Sequence, residues 1–139
     1  QINNFYKSKK HYEDYLKELE KITCPNFATI AGVTIAAKLI SHAGSLRRLV
    51  EMPASTIQIL GAEKALFRHM RNKRRNLPPK YGILHEHQLI QKSKEKMHGK
   101  VARALADKLG IAVKVDYFKG KFIGDKLKKG LVNKFKIQY

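Results

Sequence analysis

The basic side chains between residues 61 and 75 have a spacing that favours binding of an anion. Gly61 suits the tight backbone turn that precedes a helix, and residues 62–71 are mostly good helix formers. Four basic side chains recur at i, i+4, i+7 and i+11, at Lys64, Arg68, Arg71 and Arg75. Because they repel one another, they destabilise the helix unless an anion neutralises them. A phosphate also suits the free N–H groups and positive dipole of a helix start. The alternative is a solvated basic face.

The other side of this predicted helix is apolar. Ala62, Leu66 and Met70 recur at i, i+4 and i+8, so we expect them to face the core. We expect Leu66 and Phe67 to fill core sites. Substitution of either residue by alanine would then lower the free energy of unfolding by roughly 2–5 kcal/mol.

Six histidines raise the question of an enzyme or a metal site. His85 and His87 stand at i, i+2 around Glu86, whereas the zinc-protease helix motif needs histidines at i, i+4. No nucleophile with an adjacent base, no pair of carboxylates and no phosphate-binding glycine loop is evident. We therefore predict no catalytic residue, no metal and no cofactor. A small nuclease that uses His85, Glu86 and His87 is an alternative.

The chain is strongly basic. Its 139 residues suffice for one ordinary core, and they carry a formal net charge of +18. Residues 71–139 carry +14 of this charge, so we expect the C-terminal half to bind anions. This excess indicates a polyanionic partner such as nucleic acid. Tyr81, His85 and His87 could stack on unpaired bases, although Tyr81 could equally pack on its own loop.

Other sequence features exclude some classes of protein. The single cysteine, Cys24, excludes an intrachain disulfide and a cysteine-rich zinc site. No apolar run approaches the roughly 20 residues that span a bilayer, so we predict no membrane association. The chain begins at Gln1 within a helical pattern, which suggests a fragment of a longer protein.

The N-terminal half predicts several helices. Residues 2–22 form an amphipathic pattern with a coiled-coil-like seam, because apolar residues recur every seven positions. Residues 27–43 bear one charge and predict the buried central helix. Gly44 ends that helix, Ser45 can cap the next one and Pro53 ends it. The segment 55–58 has the spacing of a capping box, in which Gln58 would cap a helical turn.

The C-terminal half also predicts helices. A rigid loop over residues 77–82 precedes a long helical pattern over residues 95–117. Four residues form the core face of that pattern, at Val101, Leu105, Leu109 and Ala112. A lysine-rich helix over residues 125–137 follows Gly124. Because no stretch shows sustained period-two alternation, the predicted fold is all-α.

Several collinear motifs resemble the Nop domain of the archaeal box C/D ribonucleoprotein core protein, a relative of eukaryotic nucleolar Nop proteins and of a spliceosomal pre-mRNA-processing factor. The resemblance spans roughly residues 24–130. Its main motifs are Met52-Pro53-Ala54-Ser55-Thr56-Ile57-Gln58, Gly61-Ala62-Glu63-Lys64-Ala65-Leu66-Phe67-Arg68-His69, Pro79-Lys80-Tyr81-Gly82, Gly99-Lys100-Val101-Ala102-Arg103-Ala104-Leu105-Ala106 and Ala112-Val113-Lys114-Val115-Asp116-Tyr117-Phe118.

The resemblance implies a single helical Nop domain over residues 24–139, preceded by the end of a coiled-coil helix over residues 1–23. It implies a non-catalytic scaffold for RNA 2′-O-methylation that binds a kink-turn guide RNA together with the ribosomal-protein-like protein bound to it. Fibrillarin would bind only through a missing N-terminal domain, and the coiled coil would pair with a second copy. The location would be cytoplasmic in an archaeon and nucleolar in a eukaryote.

The expected RNA-binding residues come from two sources. The resemblance assigns such contacts to Gly61, Ala62, Glu63, Lys64, Arg68, Lys80, Lys100 and Arg103, and the residue pattern adds Gln58, Arg71 and His87. Family members usually carry arginine where this chain has His98, which suggests a weaker or pH-dependent cation. The alternative function is a generic basic helical module that binds duplex nucleic acid through phosphates alone.

Overall fold

A computed structural model describes residues 3–4, 6–11 and 24–139. Residues 3–4 and 6–11 are helical, and the rest of the predicted coiled-coil helix over residues 1–23 lies outside the described residues. The helices that follow are α1 (Pro25–Ala31), α2 (Val33–Ala43), α3 (Leu46–Glu51), α4 (Ala54–Ile59), α5 (Glu63–Arg71), α6 (Gln88–Lys92), α7 (His98–Tyr117) and α8 (Gly124–Phe135). Short 3₁₀ turns occupy Ile83–Glu86 and Glu95–Met97. No strand occurs within these ranges, which confirms the all-α prediction.

The long helix α7 is the centre of the fold. It packs against α1, α3, α4 and α8. Its predicted core face is confirmed, because Val101, Leu105, Leu109 and Ala112 are all fully buried. Burial of each such leucine contributes about 1.5–3 kcal/mol. Apart from the buried Asp116, the charged side chains of this helix are exposed or half-buried, so α7 presents lysine and arginine to the solvent from a rigid support.

The prediction of one central helix over residues 27–43 is wrong in two respects. The segment forms two helices, because Gly32 interrupts it with a φ of 84° that L-residues rarely adopt. The central position belongs to α7 instead. The apolar residues of the segment are still used in the core, since Phe27, Ile30 and Leu39 are fully buried.

Helix α8 is capped from a distant part of the chain. The Oδ1 atom of Asn26 accepts hydrogen bonds from the backbone N–H groups of Ile123 and Gly124, each 2.7 Å long. These N–H groups belong to the unpaired set at a helix start. The predicted lysine-rich C-terminal helix is confirmed, with bounds Gly124–Phe135, and α1 holds its beginning.

The caps of the short helices were predicted with mixed success. Ser45 accepts a hydrogen bond from the N–H group of Arg48 at 3.2 Å, which confirms the cap of α3. The capping role of Gln58 is wrong, because Pro53 takes the N-cap position of α4 and Gln58 lies in its last turn.

The helices that the structure describes include no candidate for a membrane span, since none combines the necessary length with the necessary hydropathy.

Candidate nucleic-acid interface

Gly61 and Glu63 fix the start of the basic helix α5. Gly61 has a φ of 96°, which confirms the need for glycine before this helix. Its N–H group donates to Oε1 of Glu63 at 3.1 Å, and the same oxygen lies 2.7 Å from Nε2 of His42 on α2. Slight burial raises the pKa of Glu63, but hydrogen bonds from the backbone N–H groups of Gly61 and Glu63 and from His42 lower it below its usual value. Glu63 is therefore ionised and braces α5 against α2.

The loop that follows α5 returns to the end of α4. The N–H group of Gly82 donates to the carbonyl of Gln58 at 3.1 Å, and that of Ile83 donates to the carbonyl of Leu60 at 2.8 Å. A Cβ atom on Gly82 would lie 2.1 Å from the Leu60 oxygen, so only glycine permits this approach. The backbone pairing brings the predicted Pro79–Gly82 motif next to the start of α5.

A groove brings together several of the predicted RNA-binding residues. The Nε2 group of Gln58 donates to the carbonyl of Lys80 at 2.7 Å. The Lys80 side chain passes beside the start of α7, because a Cβ atom on Gly99 would lie 3.9 Å from its Cδ. A groove of about 570 Å³ lies here, lined by Ser55, Gln58, Gly99, Lys100, Arg103 and Asp107. Its walls thus supply an amide and two exposed cations.

The basic row on α5 is exposed, but it ends earlier than predicted. Lys64, Arg68 and Arg71 are exposed, whereas Arg75 lies beyond the end of the helix at Arg71. The chain turns back at this point, because Nδ2 of Asn76 donates to the carbonyl of Arg68 at 2.9 Å. Arg75 therefore does not continue the row, and the prediction that included it is wrong.

The predicted core face of α5 is also wrong. No residue of this helix is buried, and Phe67 and Met70 are 54% and 62% exposed. Helix α5 has nine residues and lies on the outside of the domain, so its apolar stripe does not reach the core. An apolar face at helical spacing indicates a partner surface as readily as an interior one.

His87 is buried inside the domain and is not accessible to RNA, so the prediction that it binds RNA is wrong. Its side chain is only 2% exposed. Nδ1 accepts a hydrogen bond from the N–H group of Leu89 at 3.1 Å, so Nε2 carries the proton and donates to the carbonyl of Ile30 at 2.8 Å. Burial lowers the pKa of His87; the Ile30 carbonyl opposes this shift and Lys128 adds to it. The neighbouring apolar residues Leu89 and Ile90 were the sequence signal for a core position.

The other candidate side chains near His87 have separate roles. Glu86 forms an ion pair with Lys38 at 2.7 Å. The rings of Tyr81 and His85 stack at 4.7 Å, with Tyr81 half-buried and His85 exposed. Within the described ranges, no three histidine, cysteine or acidic side chains could hold a metal ion together. The nuclease alternative is contradicted, because its three residues do not form one accessible site.

Sequence reasoning missed some contributors to this surface. His42 lies 21 positions before Glu63 in the chain and forms a hydrogen bond with its carboxylate, and no local pattern indicates such a pairing. Ser55 and Asp107 also line the groove, although the sequence suggested only a capping box for Ser55 and gave no groove role to Asp107. The described residues show no Arg103–Asp107 ion pair.

Residues 1–137 match the Nop family, which is described as "snoRNA binding domain, fibrillarin". The chain belongs to the Nop family. The family resemblance drawn from the motifs is therefore confirmed. A NOP5 family protein of Methanocaldococcus jannaschii is 50% identical over 127 residues, which cover 91% of this chain and 30% of the relative. Nucleolar protein 56 of Schizosaccharomyces pombe is 46% identical over 110 residues, covering 79% of this chain and 22% of the relative.

A solved structure also resembles this Nop domain. The crystal structure of a fibrillarin/Nop5p complex contains a chain that matches with a TM-score of 0.77 and 33% identity. The match covers 97% of this chain and 50% of the solved chain. The sequence therefore spans half the length of the solved chain and less than a third of the length of the two relatives above.

Proposed function

We propose that this Nop domain binds a kink-turn guide RNA together with the small ribosomal-protein-like protein bound to that RNA. It acts as a non-catalytic scaffold in a box C/D particle that directs 2′-O-methylation of ribose in target RNA. The family description, which names snoRNA, supports an RNA ligand. The name of the matched fibrillarin/Nop5p complex supports membership of a particle that contains fibrillarin.

The observation that carries the proposal is the convergence of the groove with the basic helix. The groove places Gln58, Lys100 and Arg103 around one opening, with Lys80 alongside. Helix α5 begins five residues after Gln58 and adds the exposed row of three cations. Phosphate contacts of this kind position a protein on RNA without reading its sequence.

The exposed apolar side chains support a protein component of the ligand. Phe67 and Met70 lie on the face of α5 adjacent to the basic row, and Leu77 on the following loop is 86% exposed. An RNA backbone gains little from such a surface, whereas aromatic side chains and methionine are enriched in protein interfaces. A ligand composed of RNA and protein contacts both the basic row and the exposed apolar face of α5.

The remaining assignments belong to the same proposal. We propose that residues 24–139 form the Nop domain and that the full-length protein pairs with a second copy through a coiled coil. Fibrillarin binds to an N-terminal domain of the full-length protein. The particle is cytoplasmic in an archaeon or nucleolar in a eukaryote; the name of the yeast relative supports the nucleolar case.

A gel-shift titration tests the proposal. The chain is titrated against a kink-turn RNA with and without its kink-turn-binding protein, at about 0.2 M salt to suppress non-specific binding. We expect tight binding only when that protein is present. If about six phosphates are neutralised, log K falls against log salt with a slope of roughly −4 to −5. Equal binding to bare RNA and to an unrelated duplex would instead establish the generic basic module.

A further inference from the structure

A second aromatic and basic surface lies at the far end of α7. Phe118 is 73% exposed and Phe122 is 53% exposed, and Tyr117 contacts Phe118 edge-on at 5.2 Å. Tyr117 is 18 residues from Gly99 on the same helix, which corresponds to about 27 Å along its axis. This surface is therefore distinct from the groove at the start of α7.

The turn after α7 holds Phe118 outward. The backbone N–H groups of Phe118, Lys119 and Gly120 all donate to carbonyls in the last turn of α7, and the shortest of these bonds joins Gly120 to Val115 at 2.8 Å. Lys119 has a φ of 54°, and a Cβ atom on Gly120 would lie 2.9 Å from Cγ1 of Val115. The exposed ring thus sits on a closed turn, so little conformational entropy is lost when a ligand covers it.

A shallow groove runs beside the Phe118 ring. It has a volume of about 420 Å³ and is lined by Lys114, Val115, Phe118, Gly120, Lys121 and Ile123. The aliphatic side chains and the ring form an apolar floor, and one lysine contributes from the helix and one from the loop. Flat apolar surfaces flanked by cations are typical of sites that bind single-stranded nucleic acid.

The charge around this groove favours nucleic acid over a protein partner. Residues 114–129 carry six lysines and two acidic side chains. Both oxygens of Asp116 already accept N–H groups inside the domain, and the two charged side chains that line the groove, Lys114 and Lys121, are both basic. A polyanion with flat faces is complementary to this combination of charge and exposed rings.

We propose that this surface binds unpaired RNA, with a base stacked on Phe118 and flanking phosphates next to Lys114 and Lys121. The site does not depend on a kink-turn or on a bound protein. A failure of this proposal is therefore distinguishable from a failure of the proposed function.

The test measures binding of the whole chain to a fluorescent polyuridine of about ten nucleotides, which spans one single-strand site. Arg68→Ala and Lys100→Ala are introduced first, so that the other basic surface is weakened. In this background we expect Phe118→Ala to weaken binding at least about fivefold, and Phe118→Trp to retain it. Phe118→Leu should lose as much as Phe118→Ala, because leucine retains apolar area but has no ring face.

Lysine variants provide the matched controls. Lys121→Ala should reduce the salt slope by roughly 0.7, whereas Lys129→Ala, an exposed lysine outside the groove, should change it less. Wild-type affinity in Phe118→Ala or Phe118→Leu, with the fold verified by circular dichroism, would overturn the proposal. If Phe118→Ala loses self-association in sedimentation while its affinity for polyuridine is unchanged, this surface binds a second copy of the chain, and the proposal is also overturned.

Discussion

The side chain of Asp116 on α7 caps helix α1 through Asn26, a residue 90 positions earlier in the chain. Its Oδ1 atom accepts hydrogen bonds from the backbone N–H and the Nδ2 group of Asn26, at 3.1 and 2.8 Å. Its Oδ2 atom accepts the N–H group of Phe27 at 2.8 Å. Because Asn26 in turn caps α8, one buried carboxylate and one amide join three helices.

We expect Asp116→Asn to destabilise the domain by about 2–3 kcal/mol, because an amide would aim an N–H group at buried donors and would remove a charge-assisted bond. Urea denaturation measures the free energy of unfolding. Asp125→Asn is the matched control: this residue is exposed in the first turn of α8, and its substitution should cost less than about 1 kcal/mol. Equal losses in the two variants would contradict the capping role of Asp116.

Two glycine substitutions should have opposite effects. Gly82→Ala should lower the Tm and weaken RNA binding, because its Cβ atom would displace the loop from the Leu60 carbonyl. Gly130→Ala lies within α8 with no atom within 4 Å of the added Cβ, so it should stabilise the domain by about 0.5–1 kcal/mol. Thermal denaturation of both variants provides the comparison, and a stable Gly82→Ala variant would refute the close approach.

Arg68→Ala should weaken binding of the kink-turn complex by roughly 1 kcal/mol and reduce the salt slope by about one. Lys129→Ala removes an exposed charge from α8, away from the groove, and should have a smaller effect on both quantities. Lys128 is a less suitable control because its Nζ atom lies 4.6 Å from the ring centroid of Tyr139. Equal effects of Arg68→Ala and Lys129→Ala would show that total charge alone governs affinity.

The position of Phe67 predicts a variant that separates binding from stability. Because the ring is 54% exposed, Phe67→Ala should change the free energy of unfolding by less than about 1 kcal/mol, instead of the core cost expected from the sequence. Leu105→Ala, at a fully buried position on α7, should cost about 2–5 kcal/mol. In a gel shift, Phe67→Ala should weaken the complex with RNA and protein more than it weakens binding to RNA alone.

The burial of His87 predicts that the domain loses stability in mild acid. Burial lowers its pKa below the ordinary value of 6.5, so the folded protein resists protonation while the unfolded chain takes up a proton. The contribution of His87 to stability is therefore complete above about pH 6.5 and decreases as the pH falls towards the folded pKa. His87→Gln should flatten the pH dependence of unfolding between about pH 7 and 5, and an unchanged pH dependence in this variant would contradict the role of the buried imidazole.

Local patterns in the sequence predicted the parts of the fold that depend on neighbouring residues. The core face of α7, the start of α8 and the Ser45 cap follow from helical periodicity and capping preferences, and all three are confirmed. The break at Gly32 was missed, because an isolated glycine in an apolar stretch does not by itself reveal its φ.

The sequence by itself determined the helical class, the family and the excess of positive charge, since these depend on composition and on motifs within single segments. Only the tertiary structure decided which apolar faces are covered. It buries His87 and leaves Phe67 exposed, although His87 was predicted to contact RNA and Phe67 to fill a core site. It also joins Gln58 to Lys80 and Asp116 to Asn26. Burial and long-range hydrogen bonds depend on which elements meet, and periodicity within one element carries no information about its neighbours.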